Sequence, residues 1–109
     1  MKFIFFVCLD SNFKPTKTLG AETEKWVEEM DKAKYRVTGD RLVPTQDAVT
    51  VKIRNEEIEL THGPFAVTET QIAGFDLIDC ASLEEAIQIA LKHPMAKLGS
   101  IEVRQFWTE

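Results

Sequence analysis

Seven consecutive residues near the amino terminus, Phe3-Ile4-Phe5-Phe6-Val7-Cys8-Leu9, are apolar without a break. The run is too short for a stable helix and rich in aromatic and β-branched side chains, so it reads as a strand. Side chains of a strand alternate between its two faces, and here both faces need cover. Such a strand belongs at the centre of a sheet. It stops at Asp10-Ser11-Asn12, and a surface loop through Lys14-Pro15-Thr16 follows.

Next, Leu19, Trp26, Val27, Met30, Ala33 and Val37 recur at helical intervals while Glu22, Lys25, Glu28, Glu29 and Lys32 fill the other side. This spacing predicts an amphipathic helix over roughly residues 19 to 36, ended by Gly39. Arg41-Leu42-Val43-Pro44 reads as a short edge strand or bulged extension, because proline lacks the amide that a central ladder needs. Val49, Val51 and Ile53 alternate with Thr50, Lys52 and Arg54, and Ile58 and Leu60 alternate with Glu57, Glu59 and Thr61. These are two half-exposed strands joined by a tight turn at Asn55-Glu56.

Beyond Thr61-His62-Gly63-Pro64-Phe65 the chain is polar and aperiodic to Gln71, a loop of about ten residues where ~4 to 6 is usual. Loops of that length often carry function. Ile72 to Cys80 is again a strand. Ser82-Leu83-Glu84-Glu85 then supplies a capping box, with Glu85 reaching back to the Ser82 amide. The helix that follows buries Leu83, Ala86, Ile87, Ala90 and Leu91, leaves Ile89 outside the stripe as an isolated exposed side chain, and stops at Pro94. Ile101, Val103 and Gln105 alternate with Glu102, Arg104 and Phe106 in a last strand.

The order of elements predicts an α+β fold: a ferredoxin-like split βαβ arrangement with an antiparallel sheet, two helices on one face and an added β-hairpin. With 109 residues the chain makes one domain over residues 1–109. Two helices cover only one face of the sheet, so either Ile4, Phe6 and Cys8 or Phe3, Phe5, Val7 and Leu9 need another cover. A second copy of the chain is the simplest one, and a homodimer is the expectation.

Composition narrows the partners. Lys and Arg number 13 against 18 Asp and Glu, a formal charge of -5, which repels a phosphate backbone; no basic cluster with interleaved aromatics offsets it. Nucleic acid is therefore not expected. The amino-terminal apolar run is too short to cross a membrane and lacks a signal-type cleavage site, so a cytoplasmic, non-membrane protein is expected. Cys8 and Cys80 lie in apolar stretches and read as buried hydrophobes. No zinc-like spacing, carboxylate triad or phosphate-cradling glycine loop occurs, so neither a metal nor a cofactor is expected.

The candidate site residues follow from placement. Gly63-Pro64 sets a rigid turn that presents His62 and Phe65, and an imidazole there can relay a proton near neutral pH; a plain surface histidine at a strand end is the alternative. His93, near the carboxyl end of the second helix, reads as a dipole partner. Asp76 sits within Ala73-Gly74-Phe75-Asp76-Leu77-Ile78, on the face of Ile72, Gly74 and Ile78, where a carboxylate must be paired, hydrogen-bonded or solvated in a cleft. It is either an acid or base or the partner of Arg104. Glu102 and Arg104 share a face of the last strand, as an anion clamp with a proton-orienting carboxylate or as an edge-strand ion pair.

The stretch His62-Gly63-Pro64-Phe65, then Glu69, Gln71, Gly74 and Leu77-Ile78-Asp79, the helix to His93-Pro94, and Gly99-Ser100-Ile101-Glu102-Val103-Arg104 resemble the DGPF-motif family, part of the YCII-related superfamily. The resemblance spans nearly the whole chain. It implies a small dimeric protein with a ferredoxin-like subunit, related in architecture to the dimeric α/β-barrel enzymes, and a family of largely unassigned activity. His62 stands where the motif has aspartate. In the wider superfamily a histidine near the first helix and an aspartate before a proline after the second helix have been suggested as a catalytic pair. Here His93 precedes Pro94 and the first helix has no histidine, so that pair is not carried over.

Two readings remain. One is a dimeric enzyme doing acid-base chemistry on a small organic molecule, with His62 and Asp76 catalytic and Arg104, Glu102 and Phe65 binding substrate. The other is a non-catalytic dimeric module that binds a metabolite or a protein.

Overall fold

The computed structural model describes residues 1–108. The elements run β1 (Lys2–Leu9), α1 (Leu19–Lys32), β2 (Arg36–Arg41), β3 (Val49–Arg54), β4 (Glu57–His62), β5 (Gln71–Asp79), α2 (Leu83–Leu91), α3 (Met95–Leu98) and β6 (Ser100–Gln105), with a 3-10 turn at Thr45–Asp47. The main sheet has the order β2-β5-β1-β6, and each neighbouring pair is antiparallel. β1 and β2 are thus parallel with β5 between them, and β5 and β6 are parallel with β1 between them. These are the two interleaved split βαβ units of a ferredoxin-like fold. The hairpin β3–β4 is inserted between β2 and β5 and forms a sheet of its own.

β1 is central, as its unbroken apolar run requires. Phe3 and Phe5 are fully buried under the helices with Trp26, Met30, Ile78, Ala86, Ile89 and Ala90. Ile4 and Phe6 point to the other side, where no α-helix of the described residues lies, and remain half-buried. The molecule measures 47 × 42 × 18 Å, the thin dimension being that of one sheet with one helical layer.

α1 ends before Gly39. Lys34 takes a left-handed conformation, with φ 64°, and the Tyr35 amide bonds back to the Met30 carbonyl at 2.9 Å while the Lys34 amide bonds to the Asp31 carbonyl at 3.0 Å. This is a Schellman closure with lysine in the place where glycine is usual. Val37 leaves the predicted helical stripe and lies exposed on β2. The edge strand is likewise residues 36–41, and Leu42-Val43-Pro44 follows it as a connection.

α2 is turned relative to the predicted stripe. Ala86, Ile89 and Ala90 are buried, whereas Leu83, Ile87 and Leu91 are 45%, 41% and 61% exposed. The small alanines let the helix approach closely, and the Trp26 indole Nε1 donates to the Ile89 carbonyl at 3.0 Å, which fixes that rotation. At its start the Ser82 hydroxyl accepts from the Glu85 amide at 3.1 Å, but the Glu85 carboxylate takes the Ala81 amide rather than that of Ser82.

The hairpin turn is tight, with Asn55 and Glu56 both at positive φ, 51° and 66°, the pair of conformations that matches strand twist in a two-residue loop. Its strands are more exposed than half. Val51, Ile53, Ile58 and Leu60 share one face by register and are 62%, 63%, 72% and 64% accessible.

Candidate functional site

β5 builds the site. Its register against β1 slips between Val7 and Cys8, where Gly74 faces Val7 but Ile72 faces Cys8, so Ala73 is an extra residue. The bulge moves Ile72 off the face of Gly74, Asp76 and Ile78, where strict alternation had placed it. Asp76 lies opposite Phe5 on one side and Gly39 of β2 on the other, and it faces the helices.

The Asp76 partner is Arg36 rather than Arg104. Arg36 Nε donates to Asp76 Oδ1 at 2.8 Å, and its other nitrogens donate to the Gly39 carbonyl at 2.8 Å and to Asp31 at 3.3 Å. Burial pushes the Asp76 carboxyl above its ordinary range, the Arg36 guanidinium pulls it back, and Asp31 adds a small push upward. Net, the proton is held more tightly than on a free carboxyl.

His93 comes from the turn between α2 and α3. Its amide bonds to the Ala90 carbonyl at 3.0 Å, and Pro94 starts the next short helix, so the backbone holds the imidazole inward. The ring meets Trp26 edge-on with centroids 4.6 Å apart. Nδ1 accepts the Met95 amide at 3.0 Å. Burial pushes the imidazole down to about 4, so it is neutral at physiological pH. A neutral ring that accepts at Nδ1 carries its proton at Nε2.

Asp76 and His93 are the buried polar residues among the described residues, at 5% and 4% exposure. Both line one cleft of about 730 Å³, walled by Leu19, Thr23 and Val27 of α1 and floored by Val7 and Gly74 of the sheet. Asp76 Oδ2 and His93 Nε2 make no hydrogen bond within the described residues. No enclosed side-chain nitrogen or oxygen there lacks a partner, so both atoms keep contact with solvent, and the cleft is the space that both residues line.

The remaining predicted residues lie elsewhere. Arg104 stands opposite Ile4, on the sheet face away from the helices, and it ion-pairs with Glu102 and sits 5.6 Å from the Phe6 ring. His62 closes the hairpin opposite Val49 and is exposed, and Phe65 is 80% accessible. Phe65 lines a second, broad groove of about 840 Å³ between the hairpin and Ile4, Phe6 and Phe75. His62, Asp76 and Arg104 therefore do not converge. Arg36 carried no signal in the sequence, Gly39 read only as a helix stop, and His93 read as a cationic dipole partner, a role that its buried, neutral ring does not fill. The signal for His93 was present: with Ala86, Ile89 and Ala90 it continues a buried stripe at intervals of three and four.

Burial raises the thiols of Cys8 and Cys80, which keeps them protonated. Among the described residues no three His, Cys, Asp or Glu side chains come together to hold a metal, and no helix is long and apolar enough to cross a membrane.

The family model of the YCII-related domain matches residues 1–108. An uncharacterized protein of Rhizobium meliloti (strain 1021) is 48% identical over 66 residues, which cover 59% of this chain and 53% of that protein. The matched stretch thus spans about half the length of that relative.

Proposed function

Because the chain belongs to the YCII-related family, we propose that it is a small homodimeric enzyme that performs acid-base chemistry on a small organic molecule held in the cleft between β5 and α1. Asp76 is the proton carrier. One observation carries this reading: the two buried polar side chains of the described residues open onto the same cleft. Desolvated titratable groups that converge on a cleft of ligand size are the physical signature of a candidate reaction site. Arg36 holds the carboxylate in place, and Leu19, Val27 and Val7 supply an apolar wall for the body of the substrate.

In this reading His62, Phe65, Glu102 and Arg104 belong to the other side of the molecule. The uncovered apolar sheet face and the exposed hairpin face support a contact with a second copy there. Membership of the DGPF branch of that family is part of this reading, supported by His62-Gly63-Pro64-Phe65 and the matching positions beyond it. Two buried free thiols accord with a reducing, cytoplasmic setting.

The test is a screen of small polar and aromatic molecules by amide NMR, followed by turnover assays on the binders. Ligand shifts at Thr23, Gly74 and Met95, with turnover lost and binding retained in Asp76→Asn, are expected. If Asp76→Asn changes affinity and no turnover is found for any binder, the chain is a binding module instead.

A further inference from the structure

The hydrogen bond from the Met95 amide to His93 Nδ1 deepens this reading and rests on it. A backbone N–H cannot turn away, so Nδ1 is committed as an acceptor and Nε2 presents N–H to the cleft. His93 is thus equipped to donate and not to take up a proton. Asp76, whose Oδ2 opens onto the same cleft, is the group equipped to take one up. The Trp26 edge and the helix turn around Pro94 hold the imidazole fixed, so the donor needs no reorganisation.

We infer that the ligand of the cleft is a small carbonyl compound with an acidic C–H beside the carbonyl, and that His93 Nε2–H holds its oxygen while Asp76 Oδ2 removes that proton. In the step, Oδ2 forms an O–H bond as the C–H bond breaks. The C–H electron pair becomes the C=C bond of an enolate, and the carbonyl π pair moves onto oxygen. That oxyanion is stabilised by the hydrogen bond from Nε2, which keeps its own proton. In a ligand that carries a C=C bond one carbon further out the enolate is a dienolate, and Asp76 returns the proton to its far carbon, which shifts the double bond into conjugation, gives an isomer and regenerates the carboxylate. Nothing is oxidised or reduced, and no co-reactant is required. The apolar wall and the neutral imidazole suit a compact, weakly polar molecule better than a phosphate, which a cluster of free cations would mark.

Substituted phenols, whose anions imitate an enolate, are the probe. Binding to the intact protein is followed by the absorbance of the phenolate as ring substituents step the hydroxyl acidity through neutrality. The anion is expected to bind in the cleft, at least tenfold more weakly in His93→Met and at least tenfold more tightly in Asp76→Asn, because Asn imitates the protonated acid and removes a like charge. In the wild type, nitrogen-resolved NMR of the imidazole is expected to show the proton on Nε2 at neutral pH, a measurement that stands even where His93→Met fails to fold. A proton on Nδ1, or phenol binding in the cleft that ignores charge and the His93 substitution, overturns the carbonyl assignment and leaves the acid-base cleft standing. Absence of any phenol-induced shift at cleft residues overturns both.

Discussion

Arg36 Nε and Asp76 Oδ1 lie 2.8 Å apart although 40 residues separate them in the chain, and what permits the approach is the missing side chain of Gly39 between them. A Cβ at position 39 would meet Asp76 Oδ1, the Phe75 carbonyl oxygen at 2.5 Å and Arg36 Nη2 at 2.9 Å. One contact is backbone and cannot move aside cheaply. Gly39→Ala is therefore expected to lower stability by about 1 to 3 kcal/mol, measured by denaturant unfolding. An unchanged midpoint would mean that β2 slides away from β5 at no cost.

The Arg36 and Asp76 side chains are only 14% and 8% exposed, so removing one partner strands the other. Arg36→Met is expected to destabilise the protein at neutral pH by about 3 to 5 kcal/mol. The loss is expected to shrink in acid. Without Arg36, burial raises the Asp76 carboxyl further, and a raised folded pKa contributes stability that is present below the unfolded value and is lost as pH rises through the folded one. Unfolding curves for Arg36→Met at acidic and neutral pH check this. A loss that grows on acidification would refute the assignment.

His93 gives the opposite slope. Its imidazole is lowered from 6.5 to about 4 by burial, so between those values the unfolded chain binds a proton that the folded one refuses. The contribution is full above pH 6.5 and is lost as the pH falls toward 4, amounting to about 3 kcal/mol. His93→Gln is expected to flatten that part of the stability profile. A wild-type profile with no slope there would show that the ring charges freely in the folded state.

The hairpin is expected to matter to assembly and little to the subunit. Ile58 and Leu60 are 72% and 64% accessible within one chain, so Ile58→Glu with Leu60→Glu removes little intramolecular packing. Sedimentation is expected to show a dimer for the wild type and a folded monomer for the double variant. A variant that stays dimeric would place the contact elsewhere, the exposed Leu83, Ile87 and Leu91 stripe of α2 being the next surface to examine.

Lys34 holds a left-handed conformation that costs a side-chain-bearing residue roughly 1 kcal/mol relative to glycine. Lys34→Gly is accordingly expected to stabilise the protein by up to about 1 kcal/mol, the gain being reduced by the greater freedom of glycine in the unfolded chain. Thermal unfolding is the measurement, and a clear decrease in the midpoint would show that the lysine side chain makes a contact of greater worth.

Much of this fold is legible in local sequence pattern. The apolar run at Phe3–Leu9, the serine cap at Ser82 and the Asn55-Glu56 turn each express a rule that acts over a few residues. Three features did not yield to such rules. The end of α1 is set by a lysine in glycine's usual place. The rotation of α2 is set by a hydrogen bond from Trp26, 63 residues away from Ile89. The partner of Asp76 is chosen by strand order, which places β2 rather than β6 beside β5. The site suffered most, because a carboxylate can be recognised from its neighbours in sequence whereas the groups facing it come from α1, β2 and the turn at His93.

The extra residue at Ala73 has a wider consequence. It puts the two halves of β5 out of step, so that Ile72 and Phe75 share one surface while Gly74 and Asp76 share the opposite one. A single ribbon thereby serves two environments that do not exchange side chains. Heritable change at either surface need not disturb the other, and a lineage built on this subunit is free to alter what it grips without altering what it leans against.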